Sequence, residues 1–167
     1  MRHGRPAYRT VRAAPSASWS LPDQPARDSW LSAKVNATLL VDEKRTSARL
    51  MCELFRRLGF SDVQAVHNTE QALGMMREKK YGLILADWDL EPMNGLQLLK
   101  AVRSDDKLRR TPVLITASQL SCEQVLLARR TGADALILKP FLASALKSKI
   151  EEVTSTRNLP RIGIATW

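Results

Sequence analysis

The sequence predicts an α/β fold in which one parallel β-sheet is covered by helices on both faces. Five short apolar segments alternate along the chain with five longer segments whose apolar residues follow the helical period. Turn residues separate these segments, and Gly59 and Gly132 stand where two of the helical patterns end. Parallel strands follow from this order, because each right-handed crossover between them needs a covering helix.

The first half of the predicted domain contains two strands, each followed by a helix. The apolar segment ATLLV at 37–41 predicts the first strand, and the spacing of apolar residues over 45–58 predicts a helix after it. A weaker apolar segment at 63–66 predicts the second strand. A shorter helical pattern over 69–79 completes this half.

The second half begins with the segment LILAD at 83–87, whose four apolar residues predict a strand buried on both faces. Pro92, Asn94 and Gly95 predict a turn after this strand, because they carry the backbone restrictions and freedoms that turns require. The elements predicted beyond the turn are a helix from Leu96 to about Ser104, a strand at 112–116, a helix over 122–131, a strand at 135–138 and a final helix over 143–154.

Together these elements predict a flavodoxin-like, doubly wound sheet of five strands in the order 2-1-3-4-5, with five helices. Residues 1–34 are rich in proline, serine and arginine and lack apolar periodicity, so we expect a disordered basic extension there. We expect residues 35–156 to form the folded domain and residues 157–167 to form a C-terminal tail.

The formal net charge of +9 raises the question of an anionic partner. Residues 1–33 contribute +3 (five Arg against two Asp), and residues 34–167 contribute +6 (21 Lys and Arg against 15 Asp and Glu). Most paired basic residues stand near predicted helix ends, where cations complement the helix dipole. No nucleic-acid-binding motif accompanies them, so the sequence does not favour a nucleic-acid partner.

Two further features of the sequence concern cellular location. The sequence has no run of about 18 apolar residues, so we expect no membrane insertion. Cys52 and Cys122 are its two cysteines, which is more typical of reduced thiols than of a disulfide framework. We therefore expect a cytoplasmic protein.

Polar residues with complementary chemistry follow four of the predicted strands. In the predicted order, strands 1, 3, 4 and 5 lie side by side, so their ends bring together Asp42 with Glu43, Asp87, Thr116 and Lys139. Carboxylates this close repel one another unless a cation lies between them, and Mg²⁺ prefers carboxylate, water and phosphate oxygens as ligands. Lysine and threonine offer a phosphoryl group a point charge and a short donor. A carboxylate can itself accept that group as an aspartyl phosphate.

Four segments carry a resemblance to a known family: VDE (41–43), ADWDLEPMNGLQLL (86–99), PVLITAS (112–118) and GADALILKPF (132–141). In this order and spacing, across residues 36–155, the sequence strongly resembles the response-regulator receiver family. The segment at 86–99 is especially similar to single-domain chemotaxis regulators, including Trp88 after the acid.

The resemblance implies a role for each residue at the strand ends. It makes Asp87 the phosphoacceptor, with Asp42, Glu43 and the backbone carbonyl of Asp89 as further ligands of Mg²⁺. Thr116 would bond a phosphoryl oxygen, and Lys139 would pair with the phosphate.

The resemblance also implies the function of the whole chain. It predicts a cis peptide bond between Lys139 and Pro140. It further predicts a stand-alone switch that accepts a phosphoryl group from a histidine kinase or a histidine phosphotransfer protein. Its output would pass by protein–protein contact, through the fourth helix, fifth strand and fifth helix, to a downstream protein that the sequence does not name. We expect a monomer or weak dimer, and a signalling protein rather than an enzyme.

Three positions depart from the family pattern. Glu43 stands where a second Asp is commoner, so its longer side chain must reach the metal differently. The proline expected four residues after the acceptor is Glu91, and Pro92 follows one place later. Leu136 replaces an aromatic residue that normally moves with the threonine, so the usual aromatic switch is absent or rebuilt.

These departures leave a second interpretation open. The chain could be a phosphorylation-independent interaction module, or a nucleic-acid-associated one, that keeps the receiver fold without the switch. The basic extension, Leu136 and the Glu91–Pro92 loop favour this alternative. The intact set of Asp87, Thr116 and Lys139 opposes it, because a disused site has little to preserve these residues.

Overall fold

The structure, a computed structural model, describes residues 37–156. The predictions for residues 1–34 and 157–167 lie outside the described residues, as do the first two positions of the predicted domain. The described chain forms five parallel strands in the order β2-β1-β3-β4-β5, with five helices, as predicted. The strands are β1 (Thr38–Val41), β2 (Val63–Val66), β3 (Leu83–Asp87), β4 (Val113–Ala117) and β5 (Ala135–Leu138). The helices are α1 (Arg45–Arg57), α2 (Thr69–Glu78), α3 (Gly95–Ser104), α4 (Cys122–Thr131) and α5 (Ala143–Thr156).

The sheet separates two apolar layers, because alternate side chains of a strand point to opposite faces. On one face, Ile84, Ala86 and Ile115 belong to a cluster that also contains buried residues of α2, α3 and α4. On the other face, Leu85 and Leu114 belong to a cluster with buried residues of α1 and α5. The three central strands are therefore covered on both sides, which explains their nearly continuous apolar sequences.

Side-chain caps fix where several helices begin. Asn94 and Ser121 each accept a hydrogen bond from the backbone N–H three residues later and form capping boxes with Gln97 and Gln124. Gly132 ends α4 in the left-handed conformation, at φ 100°, which favours glycine. Asn94 and Ser121 therefore fix where α3 begins after β3 and where α4 begins after β4.

The element boundaries differ from the predicted ones by one or two residues. Helix α1 ends at Arg57 and α2 at Glu78, each one residue earlier than predicted. Strand β4 starts at Val113 and runs to Ala117, and α5 continues to Thr156. No helix within residues 37–156 has the length and apolar character needed to cross a membrane.

A partly buried ion pair joins two loops at the end of the sheet opposite Asp87. The Arg103 guanidinium lies 2.8 Å from Asp134 Oδ2 and donates further hydrogen bonds to the carbonyl oxygens of Gly132, Arg109 and Thr111. Both charged side chains are only 16% exposed. The guanidinium therefore holds the α3–β4 loop against the α4–β5 loop.

Candidate functional site

Asp87 is the last residue of β3 and lies at the carboxyl end of the sheet. Its neighbour across the sheet is Thr116 of β4, and the Trp88 N–H donates to the Thr116 carbonyl at 2.7 Å. The Gly95 N–H donates to the Trp88 carbonyl at 3.0 Å, which ties the start of α3 to the end of β3. Asp87 is 8% exposed and Trp88 is 7% exposed. The acid is therefore held at the rim of the core by backbone contacts on two sides.

Lys139 brings a positive charge directly onto this carboxylate. Its Nζ donates to Asp87 Oδ2 at 2.8 Å and lies 3.7 Å from Asp42 Oδ2. The Lys139 N–H donates to the Ala117 carbonyl at 2.8 Å, so the end of β4 fixes the lysine backbone. The Lys139–Pro140 peptide bond is cis, as predicted, and the Glu91–Pro92 bond is also cis, which was not predicted.

Asp42 follows β1 and shares the same ammonium group. It is 7% exposed, and its Oδ1 accepts a hydrogen bond from the Lys44 N–H at 2.9 Å. Its Oδ2 accepts from the Ser47 hydroxyl, and its backbone carbonyl lies 3.0 Å from His67 Nδ1. These contacts orient a charge that would otherwise be costly to bury.

Thr116 completes the buried part of the site. It is 3% exposed and lines a small cavity together with Asp42 and Asp87. The remaining lining is apolar and comes from Leu40, Val41, Ala48, Met51 and Leu85. The structure thus brings four of the predicted site residues together at the carboxyl end of the sheet, namely Asp42, Asp87, Thr116 and Lys139.

Glu43 and Asp89, the other two predicted ligands, are exposed. Within residues 37–156, no three or more His, Cys, Asp or Glu side chains converge on one point. The reason is that only two carboxylates converge here, and both face the Lys139 ammonium.

The donor chemistry of the site nevertheless suits Mg²⁺. Two buried carboxylates already face a single cationic group, and hard oxygen donors are what this ion prefers. Mg²⁺ also usually keeps several water ligands, so it does not need a third converging carboxylate. The residues present therefore fit the ion.

Sequence reasoning missed Ser47 and His67, two side chains that lie at hydrogen-bond distance from Asp42. Ser47 lies five residues after Asp42, and His67 lies 25 residues after it, at the end of β2. Neither spacing belongs to a helical or strand period, so no pattern indicated them. The parallel pairing of β1 with β2 was the one available signal, because it places the position after Val66 beside the position after Val41.

Comparisons with known proteins agree with this geometry. The family model described as "Response regulator receiver domain" matches residues 38–151. The chain is 34% identical over 115 residues to chemotaxis protein CheY-3 of Vibrio cholerae, covering 69% of this chain and 88% of that protein. It is also 34% identical over 115 residues to chemotaxis protein CheY of Pseudomonas aeruginosa, covering 69% of this chain and 93% of that one.

Solved structures support the fold. The chemotaxis protein CheY4 of Vibrio cholerae superposes with a TM-score of 0.66 at 23% identity, covering 70% of this chain and 97% of that chain. The receiver domain of the Francisella response regulator 1452 gives a TM-score of 0.65 at 24% identity, covering 72% of this chain and 97% of that one. Because the family model and the curated relatives each match about two thirds of the sequence, the chain belongs to the response regulator receiver family and is a response regulator of two-component signalling.

Proposed function

We propose that this protein is a phosphorylation switch in which Asp87 accepts a phosphoryl group. The main support for this proposal is the 2.8 Å contact between Lys139 Nζ and Asp87 Oδ2 at the carboxyl end of the sheet. A lysine at this position would place its positive charge beside the oxygens of a phosphoryl group on Asp87. We favour this function over a module without the switch, because Lys139 contacts both Asp87 and Asp42, and Thr116 lines the same cavity as these two acids.

The proposed step is a transfer from phosphohistidine to aspartate. An Asp87 carboxylate oxygen attacks the phosphorus, a new P–O bond forms, and the P–N bond to the donor imidazole breaks. The imidazole leaves with the electron pair of that bond and is protonated. Lys139 then pairs with one phosphoryl oxygen, and the Thr116 hydroxyl donates to another.

Mg²⁺ is the cofactor that this proposal implies. Asp42 and Asp87 would hold it with their buried carboxylates, with Glu43 reaching in from the surface and the Asp89 carbonyl as a further ligand. Bound there, the ion would neutralise charge on the phosphoryl oxygens. The chain itself would supply the orientation, because contacts within the fold fix both aspartates.

The proposed partners follow from the same chemistry. A histidine kinase or histidine phosphotransfer protein would donate the phosphoryl group, and an unnamed downstream protein would bind the α4–β5–α5 face. Exposed leucines lie on these elements or between them, namely Leu126, Leu127, Leu138 and Leu142. We further propose a cytoplasmic monomer or weak dimer, with residues 35–156 as the switch and residues 1–34 as a separate extension. It would act as a signalling protein and not as a separate enzyme.

Acetyl phosphate tests the proposal without the unknown kinase. With Mg²⁺ present, intact mass spectrometry should show the gain of one phosphoryl group, and EDTA should prevent this gain. The Asp87→Asn variant should remain unmodified, because its amide keeps the shape of the side chain but does not attack phosphorus. Equal modification of this variant would refute Asp87 as the acceptor.

A further inference from the structure

Every polar atom of Asp42 contacts another group of the chain. Its N–H donates to the Val66 carbonyl at 3.1 Å, and its own carbonyl oxygen lies 3.0 Å from His67 Nδ1. In the side chain, Oδ1 accepts from the Lys44 N–H and Oδ2 accepts from the Ser47 hydroxyl. Two of these four contacts are made by backbone groups of Val66 and Lys44. Substitution can therefore remove only the contacts that the side chains of Ser47 and His67 make.

Ser47 and Lys139 both face Asp42 Oδ2. The lysine Nζ is 2.8 Å from Asp87 Oδ2 but 3.7 Å from Asp42 Oδ2, whereas the Ser47 hydroxyl hydrogen-bonds the latter oxygen directly. A neutral hydroxyl leaves the charge of the Asp42 carboxylate available to a cation. Ser47 therefore orients Asp42 Oδ2 by a neutral hydrogen bond, while the Lys139 ammonium lies closer to Asp87 than to Asp42.

His67 fixes the same residue from a different strand. Its ring contacts the Asp42 carbonyl, which can only accept a hydrogen bond, so Nδ1 carries the proton and donates. This bond joins the turn after β1 to the end of β2. The backbone of Asp42 is therefore held by the neighbouring strand and its carboxylate by α1.

We propose that Ser47 and His67 are positioning residues that hold Asp42 ready for a divalent cation; this inference rests on the proposed function. Hydrogen-bond partners of metal ligands typically change metal affinity by 10–100-fold when they are removed. We expect the Ser47→Ala variant to lie at the low end, with about a tenfold weaker affinity for Mg²⁺, because the Lys44 N–H still holds Oδ1. His67→Ala should weaken binding less, since it frees the backbone and not the carboxylate.

The test is a Mg²⁺ titration of the full chain, followed by tryptophan emission, which the buried Trp88 beside Asp87 should report. The Ser47→Ala dissociation constant should rise about tenfold, and Ser47→Thr should restore it by restoring the hydroxyl. Thr46→Ala is the matched control, because Thr46 is an exposed hydroxyl residue on the same helical turn. The melting temperature without metal should change little in Ser47→Ala, which separates a metal effect from a loss of fold.

His67 supplies an independent variant on another element. His67→Ala should raise the dissociation constant, and His67→Asn should restore it, because an asparagine amide can place an N–H donor where Nδ1 stands. Unchanged or tighter Mg²⁺ binding in both alanine variants, beside normal binding by the wild type, would overturn the positioning role alone. Failure of the wild type to bind Mg²⁺ or to gain a phosphoryl group from acetyl phosphate would overturn the proposed function and this inference with it.

Discussion

Gly95 leaves no space for a side chain between the start of α3 and the backbone of Asp87. A Cβ atom at position 95 would collide with the Asp87 carbonyl oxygen and would lie 3.1 Å from Trp88 Cα. These obstacles are backbone atoms at the end of β3, so they cannot move aside as a flexible side chain could. We therefore expect Gly95→Ala to push α3 away from the sheet or to displace Asp87.

The expected cost follows from two opposing effects. Overpacking of this kind costs about 1–3 kcal/mol, whereas exchanging glycine for alanine in a helix gains roughly 0.5–1 kcal/mol. These two ranges leave a net destabilisation of about 0–2.5 kcal/mol, centred on about 1 kcal/mol, which for a domain of this size lowers the melting temperature by roughly 3–6 °C. Phosphorylation by acetyl phosphate should also slow, because the carbonyl that is displaced belongs to the acceptor itself.

Gly74 provides the matched control for this substitution. It lies inside α2, and a Cβ atom there would meet nothing within 4 Å. Gly74→Ala should therefore stabilise the domain by about 0.5–1 kcal/mol and leave the phosphorylation rate unchanged. Thermal unfolding and timed intact-mass measurements on both variants test the prediction. A Gly95→Ala protein as stable and as reactive as the wild type would refute the steric reasoning.

Three further predictions concern other parts of the domain. Arg103→Ala should lower the free energy of unfolding by about 2–4 kcal/mol in urea melts, because it removes this partner from a partly buried carboxylate and from three loop carbonyls. A loss below about 1 kcal/mol would contradict this. Because Leu136 lacks the bulk of an aromatic switch, a beryllofluoride mimic of phosphorylation should change hydrogen exchange mainly in the loop at 117–121. A change confined to β5 and α5 would show instead that Leu136 transmits the signal as an aromatic residue does. Burial raises the pKa of the Cys52 thiol, which lowers the amount of reactive thiolate. Iodoacetamide should therefore label the exposed Cys122 before the buried Cys52. Equal labelling of both in the native protein would contradict the packing around Cys52.

The strand order was predictable because it follows from simple rules of chain connection. Alternation of apolar segments with helical patterns left one economical topology, and that topology alone set Asp87 beside Thr116. The central strands were also the clearest in sequence, since both faces of Leu83–Asp87 are buried. Strand β2 gave a weaker signal because it lies at an edge of the sheet, where three of its four residues are only partly buried.

The finer geometry of the site was less predictable. Strand order and family resemblance predicted that Lys139 lies near Asp87, but not the direct contact between them. The bond from Ser47 to Asp42 follows from how the chain passes from β1 into α1. No sequence period encodes such a turn. Leu136 is only partly covered, because β5 is an edge strand.

The identity of the phosphoacceptor is the central claim, and trapping the phosphorylated residue tests it most directly. Borohydride reduces an acyl phosphate to an alcohol, so it converts a phosphorylated aspartate into homoserine that peptide sequencing by mass spectrometry can locate. After treatment with acetyl phosphate and Mg²⁺, we expect homoserine at position 87, no homoserine at Asp42, and none of the longer alcohol, 5-hydroxynorvaline, that a phosphorylated Glu43 would give. A reduced side chain at another acid, with an unmodified Asp87 in the same sample, would contradict the assignment of Asp87 as the acceptor.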